Sequence, residues 1–216
     1  MSKKRSVIAS KMNPVRNLPA VVLAAASMMA AWAQKVTPPP TPAAITPPAG
    51  NKAFLVGHAI GTQGYICLPA SAGGTSWTVN NSRPEATLFK DQSGRQILTH
   101  FTSINTSPKS GVTASPSGNP TWQSSSDTSK VWGKVGNSIA AGPETKSCPN
   151  QGAIPCLLLE AIGNEKGPSG GHLLAEVTFI QRLNTKEGAA PTSACTVGQT
   201  QLVPYTADYY FYKKKK

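Results

Sequence analysis

From residue 51 onward the sequence alternates short apolar or β-branched runs with clusters of Gly, Pro, Asn and Ser. After the first 33 residues, no stretch places apolar residues at a sustained helical spacing. Many short strands with this turn punctuation are typical of all-β domains. We therefore predict one antiparallel β domain with long loops, either a β-sandwich or a closed β-barrel, and the pattern does not decide between the two.

The last predicted strand is rich in aromatic residues. In an extended strand Tyr209 and Phe211 share one face, whereas Asp208, Tyr210 and Tyr212 share the other. Because both faces carry rings, we expect this strand to be covered on each side or to line a cavity. The predicted strands are 52–59, 64–68, 76–79, 86–89, 96–101, 131–135, 154–162, 172–183 and 202–212.

Two further stretches have a distinct composition. In the strand over 172–183, Val177 and Phe179 lie on one face and Arg182 on the other, which is typical of a half-buried antiparallel strand. Ser, Thr, Pro, Gly and Asn dominate residues 103–121, so we predict a long exposed loop there. Loops of this length in a compact domain are usually functional or disordered.

The first 33 residues have the three parts of a secretory signal peptide. A basic leader precedes an apolar run over 18–31, and Ala-Trp-Ala at 31–33 is a cleavage pattern. The run is shorter than the roughly 20 residues that span a bilayer. We therefore expect a protein that is exported to the periplasm or the exterior, with no transmembrane segment after cleavage. Residues 34–50 contain six prolines, which predicts an extended linker before a β domain over 51–212.

The formal net charge of +12 is concentrated at the two ends of the chain. Nine of the 21 Lys and Arg residues lie in the leader and in the tail of Lys213, Lys214, Lys215 and Lys216, which leaves the body at +3. A nucleic-acid-binding domain should carry clustered basic residues on a folded face. The sequence therefore argues against nucleic acid as a partner. The lysine tail could make a weak contact with anionic surfaces.

Four cysteines remain in the exported part, an even number that predicts disulfides with three possible connectivities. Cys148 and Cys156 are close in sequence and flanked by prolines, so we pair them as a local bridge. The remaining pair is then Cys67 with Cys195. No C-x-x-C or paired His and Cys spacing points to zinc.

Candidate catalytic residues are His58 and His100, acting with Asp127 or Asp208. Both histidines follow apolar runs, and such groups could bind a metal or transfer protons if they met in space. The spacing lacks H-x-H and H-E-x-x-H patterns, which favours structural histidines and no metal site. Residues 167–171 fit G-x-S-x-G, but the strand-turn-helix context of a nucleophile elbow is missing, so we predict a hairpin loop. No dinucleotide or nucleotide motif predicts a cofactor.

Aromatic side chains are the candidates for ligand binding. Tyr65, Trp122, Tyr205 and Tyr209 could stack on a small molecule or a glycan, although rings in a β protein more often belong to the core.

The order of motifs along residues 45–212 resembles the bacterial and fungal family named domain of unknown function 3455. The motifs are HAIGTQGYIC at 58–67, PEATLF at 84–89, THF at 99–101, PTWQ at 120–123, SKVWG at 129–133, IPCLLL at 154–159, TFIQRLNT at 178–185 and VPYTADYYFY at 203–212. The resemblance implies an exported protein of unestablished activity and brings no catalytic residues. Some fungal relatives carry a malate dehydrogenase label, which does not suit a chain without a dinucleotide fingerprint.

The chain departs from the family pattern at Cys156, where the family has Trp. The departure marks Cys148–Cys156 as a local addition and supports Cys67–Cys195 as the family's own bridge. From all of this we expect an exported binding or cell-envelope module with no catalysis of its own. The alternatives are a secreted hydrolase or metal-dependent enzyme built on His58 and His100, and a structural or stress-related coat protein.

Overall fold

The computed structural model describes residues 35–80, 85–91, 93–104 and 118–216. The predicted signal peptide and residues 105–117 of the predicted loop lie outside this part of the chain. The described residues belong to one compact unit that runs from Lys35 to Lys216.

The prediction of an all-β antiparallel fold is confirmed. Within the described residues the only helical element is a 3₁₀ turn, Ala43–Ile45. The nine strands are β1 (Asn51–Pro69), β2 (Thr75–Val79), β3 (Glu85–Phe89), β4 (Gln96–Ser103), β5 (Asn119–Ser124), β6 (Lys130–Ile139), β7 (Cys156–Glu165), β8 (Phe179–Glu187) and β9 (Thr200–Lys214).

The nine strands form a single sheet that closes in a ring. Their order is β2-β1-β3-β4-β5-β6-β7-β8-β9, and β1 also pairs with β9, from Asn51 opposite Lys214 to Ile66 opposite Thr200. The other edge of β1 pairs first with β3 and then with β2. At the crossing with β3, a Cβ on Gly61 would lie 2.1 Å from the carbonyl oxygen of Glu85, so only glycine permits this approach.

The main core fills the inside of the ring. On β9 the side chains of Tyr205, Ala207, Tyr209 and Phe211 alternate with outward-facing residues and belong to one buried cluster. The same cluster takes Leu88, Leu98, Trp122, Val131, Leu159 and Ile180 from other strands. Full burial of a side chain such as Phe211 stabilises the fold by roughly 1.5–3 kcal/mol.

A second cluster covers part of the outer face and includes the proline-rich segment. Ile45 is fully buried there with Tyr210 and Tyr212. The amide of Gln181 connects the layers, because its nitrogen donates to the Ile45 carbonyl and its oxygen accepts from the Tyr212 hydroxyl. The expectation that residues 34–50 form a linker is therefore corrected for the described part, which packs on the sheet. Both faces of β9 are covered, as its rings suggested.

Several boundaries differ from the prediction. The predicted strands 52–59 and 64–68 are one strand, β1. The predicted loop 103–121 is wrong at both ends, because Ser103 closes β4 and residues 119–121 open β5. The predicted strand 172–183 begins only at Phe179, after a turn. The predicted lysine tail, 213–216, is shorter than expected, because β9 continues to Lys214.

Both predicted disulfides are confirmed. Cys67 is bonded to Cys195 across 128 positions of the chain, and Cys148 is bonded to Cys156 across 8. The first bridge attaches the segment before β9 to β1, and the second closes the loop between β6 and β7 against the outer cluster.

Candidate ligand-binding site

A cavity of about 440 Å³ lies in the ring among inward-facing side chains. Its wall includes Tyr65 of β1, Trp122 of β5 and Tyr209 of β9, three of the four aromatic residues singled out in the sequence. Val79 and Val135, each 46% exposed, also border it, so the cavity reaches solvent on their side. The alternation of β-strands explains the convergence, because every second residue of each strand points into the ring.

One wall of the cavity is a stack of rings. The imidazole of His100 lies flat on the indole of Trp122, with ring centroids 4.4 Å apart and planes inclined by 7°. The phenol of Tyr209 lies 5.5 Å from both rings in tilted or edge-on orientations. Aromatic contacts of this kind contribute about 0.5–1.5 kcal/mol beyond the area that they bury. The stack gives the cavity wall a rigid aromatic backing.

Tyrosine hydroxyls make hydrogen bonds beside this stack. The hydroxyl of Tyr65 donates to the carbonyl of Gly188 at 2.6 Å, and the hydroxyls of Tyr205 and Tyr209 are 3.1 Å apart. Tyr205 is the fourth predicted aromatic, and it lies behind Tyr209 in the buried core. Burial raises the pKa of Tyr65, and raises that of Tyr205 well above its ordinary value, so both phenols stay protonated.

His100 is held as a neutral imidazole. Its Nδ1–H donates to the carbonyl oxygen of Thr121 at 3.0 Å. Burial lowers the pKa of His100 to about 4, with a smaller lowering from the nearby charge of Arg182 and an opposing effect of the bond to Thr121. At neutral pH the ring therefore packs as an uncharged aromatic group.

The charged group of the cavity wall is Arg182. This side chain is 9% exposed, and its Nε and Nη2 donate to the carbonyl oxygen of Pro155 at 3.1 and 2.9 Å. The residue lies opposite Tyr209 on β9 and Leu157 on β7, both of which border the cavity. The half-buried strand predicted over 172–183 has Arg182 on the face opposite Val177 and Phe179, which implies exposure to solvent. That placement is wrong, because this face of β8 points into the ring.

The predicted pair of His58 and Asp208 lies on the outside of the ring. The Nδ1 atom of His58 is 2.6 Å from Oδ1 of Asp208, and Asn184 donates to Oδ2 at 2.7 Å. The two residues face each other in the β1–β9 register. Asp208 thus has partners on both oxygens, a histidine and an amide.

Asp127 has a structural role in the turn between β5 and β6. Its carboxylate accepts hydrogen bonds from the hydroxyl of Ser129 and the backbone N–H groups of Ser129 and Leu173. Burial favours the neutral acid, but bonds from Leu173, Ser129 and Ser124 outweigh it and hold the Asp127 pKa well below its usual range. The carboxylate therefore stays ionised and fixes the turn.

The loop that carries G-x-S-x-G packs on this turn. A Cβ on Gly167 would lie 1.8 Å from the carbonyl oxygen of Asp127, and one on Gly171 would lie 2.4 Å from the Asp127 Cβ. Ser169 between them is exposed, and a turn rather than a helix follows. The glycines are thus explained by close packing of two turns, in agreement with the predicted hairpin loop.

The four candidate catalytic residues do not form one centre. His58 and Asp208 face outward, His100 faces the cavity, and Asp127 belongs to a turn. Across the described ranges no group of three or more His, Cys, Asp or Glu residues could hold a metal ion. Nor is any described helix long and apolar enough to cross a membrane.

A larger groove, of about 600 Å³, lies between the proline-rich segment and the start of β1. Backbone, prolines and the exposed lysines Lys35, Lys52 and Lys215 line much of it. The cavity in the ring differs in combining a ring stack with a buried charge, and we regard it as the candidate site.

Comparison with known proteins gives one match. A family model described as "Protein of unknown function (DUF3455)" matches residues 48–213, most of the chain, in agreement with the resemblance seen in the motifs. No curated protein and no solved structure matches the chain.

Proposed function

The chain belongs to this family of unknown function, and we propose that it is an exported module that binds a small molecule inside its ring. The observation that carries the proposal is the cavity of about 440 Å³ with its stack of His100, Trp122 and Tyr209. Small-molecule sites are typically concave, mostly apolar volumes of roughly 300–1,000 Å³ with a few placed polar groups. The cavity has this size and this composition.

Export is supported by the two disulfides and by the predicted signal peptide. Disulfides form and persist in oxidising compartments, and a domain held by two of them suits the periplasm or the exterior. A soluble small molecule is also the better occupant than a long glycan, because the cavity holds only about 440 Å³ and lies inside the ring.

The enzyme alternative loses its support from the arrangement of the candidate residues. It required His58, His100 and a carboxylate to converge, and only the His58–Asp208 pair does so. Asn184 of β8 donates a hydrogen bond to the second oxygen of Asp208 on β9, and His58 lies on β1. The three side chains are therefore explained as a connection between these strands. We therefore propose no catalysis by the module itself.

A thermal-shift screen with soluble metabolites and short glycans tests the proposal. A compound at 100 times its dissociation constant should stabilise the protein by about 2.7 kcal/mol. The variant Val135→Trp should abolish the shifts, because a large side chain at this exposed position would occupy the mouth of the cavity.

The matched control is Val197→Trp, which adds the same side chain at a position that is 55% exposed and does not border the cavity. It should leave every shift unchanged. Shifts that survive in Val135→Trp would place binding elsewhere, and a screen without any shift would remove the proposed function.

A further inference from the structure

The guanidinium of Arg182 has unused hydrogen-bonding capacity in the cavity wall. Its Nε and Nη2 share a single acceptor, the carbonyl oxygen of Pro155. Among the described residues, the guanidinium donates to no acceptor other than this carbonyl. A charged side chain that is nine-tenths buried is ordinarily paired, because removing a charge from water is costly.

No carboxylate of this chain neutralises that charge. All nine Asp and Glu residues lie in the described part of the chain, and the ion pairs found within it are His58–Asp208 and Lys130–Glu165. No acidic residue borders the cavity, whereas Lys134 stands at its exposed side. An arginine cannot escape the cost by losing its proton. The cavity wall is therefore cationic without a counter-charge from the protein.

Two further buried donors lack acceptors in the same wall. The indole Nε1 of Trp122 and the amide Nδ2 of Asn119 are buried without a hydrogen-bond partner in the described residues. Both residues border the cavity. Native proteins leave few buried polar atoms unpaired, and each such atom calls for an explanation. Together with Arg182 they give the wall three groups with donors that the described residues leave without an acceptor.

On the premise that the ring interior is the binding site, we propose that its ligand is a small organic carboxylate. The carboxylate meets Arg182, and the apolar body of the ligand packs against the stack of Trp122 and Tyr209. A single guanidinium matches a singly charged head group. A phosphate carries close to two negative charges and three strong acceptor oxygens. Arg182 is the one buried cation among the residues that border the cavity, so it would neutralise only part of that charge.

Calorimetric titration with naphthalene-2-carboxylate and naphthalene-2-carboxamide tests this assignment. The two compounds have nearly the same shape and differ in the charge of the head group. At neutral pH the carboxylate should bind the wild-type protein at least tenfold more tightly than the carboxamide. The variant Arg182→Met should remove this preference by weakening carboxylate binding, with the carboxamide affinity retained.

The matched control is Arg95→Met, which removes the same charge from an exposed position away from the cavity. It should keep the tenfold preference. If Arg182→Met does not fold, Arg182→Lys provides the second variant. Lysine keeps the charge and loses the paired bond to Pro155, so the preference should persist at a reduced size.

The outcomes separate the ligand class from the proposed function. Equal affinity of the wild-type protein for the two compounds would overturn the carboxylate assignment and leave a binding module. An unchanged preference in Arg182→Met would overturn it as well. If neither compound binds, the carboxylate assignment is rejected, whatever the metabolite screen finds. If the screen also shows no thermal shift, the proposed function is rejected too.

Discussion

At the scale of single residues, His100 shows how the ring interior controls ionisation. The imidazole is stacked on Trp122, bonded to Thr121 and 4% exposed, so a positive charge there would be largely desolvated. Burial holds its pKa at about 4, below the ordinary value of 6.5. The folded state therefore keeps His100 neutral where an unfolded chain would begin to protonate it.

This difference predicts a pH-dependent stability. Above pH 6.5 neither state binds the proton, and between about 6.5 and 4 the unfolded state binds more of it. The free energy of unfolding should therefore fall as pH decreases through this window, by up to about 1.4 kcal/mol per pH unit from this group. Urea unfolding between pH 4 and 8 should show a shallower slope in His100→Gln.

The control for this series is His172→Gln, because His172 is exposed. It should reproduce the wild-type slope. A variant His100→Gln that keeps the full wild-type slope would contradict the assignment of the pH dependence to His100.

The sequence identifies candidate binding residues more reliably than it predicts their positions in the fold. Tyr65, Trp122 and Tyr209 were selected by chemistry alone and do border the cavity. Alternation along one strand separates its two faces but does not show which of them another layer covers. The prediction for Arg182 was therefore exposure to solvent. The apolar residue Ile180 lies two positions away on the same face and was a local sign of burial, and its side chain is fully buried.

At the scale of elements, the two disulfides should differ in their effect on stability. In the chain-entropy model the cost of losing a bridge grows with the loop that it closes. Replacing Cys67 and Cys195 by Ala should lower the free energy of unfolding by about 5 kcal/mol, and replacing Cys148 and Cys156 by about 2.5 kcal/mol.

Urea unfolding of the two double variants at neutral pH measures this difference, and each variant is the control for the other. Similar losses, or a larger loss for the short loop, would show that contacts around Cys148 and Cys156 outweigh loop length.

Strand β5 shows why one element escaped the sequence analysis. Its buried residues include Asn119, Thr121 and Ser124, whose side chains are polar. The hydroxyl of Thr121 donates to the Asn119 carbonyl and lies 2.8 Å from the hydroxyl of Ser103. Polar residues can be buried when such partners exist. Ser103 lies on the neighbouring strand β4, so a run rich in Ser, Thr and Asn looks like a loop until the pairing is known.

At the scale of the whole molecule, ring closure depends on the pairing of the first and last strands. The aromatic pattern of β9 predicted cover on both faces, and the ring interior and the proline-rich segment provide it. The choice of β1 as the partner of β9 joins residues about 150 positions apart, for example His58 and Asp208. Local periodicity carries no information on such pairings, which is why sandwich and barrel stayed open.

The same closure creates the candidate site. Side chains from eight of the nine strands meet around the cavity, including Arg182 from β8 and Tyr209 from β9. Sequence alone could list aromatic candidates, but the charge and the unpaired donors beside them appear only once the ring is formed.

A crystal structure with the tightest-binding compound from the screen is the most direct test of a binding site inside the ring. The compound should lie inside the ring, among the side chains that border the cavity, with Arg182 in its wall. Its position in the groove beside the proline-rich segment, or beside His58 and Asp208 on the outer face, would contradict the account.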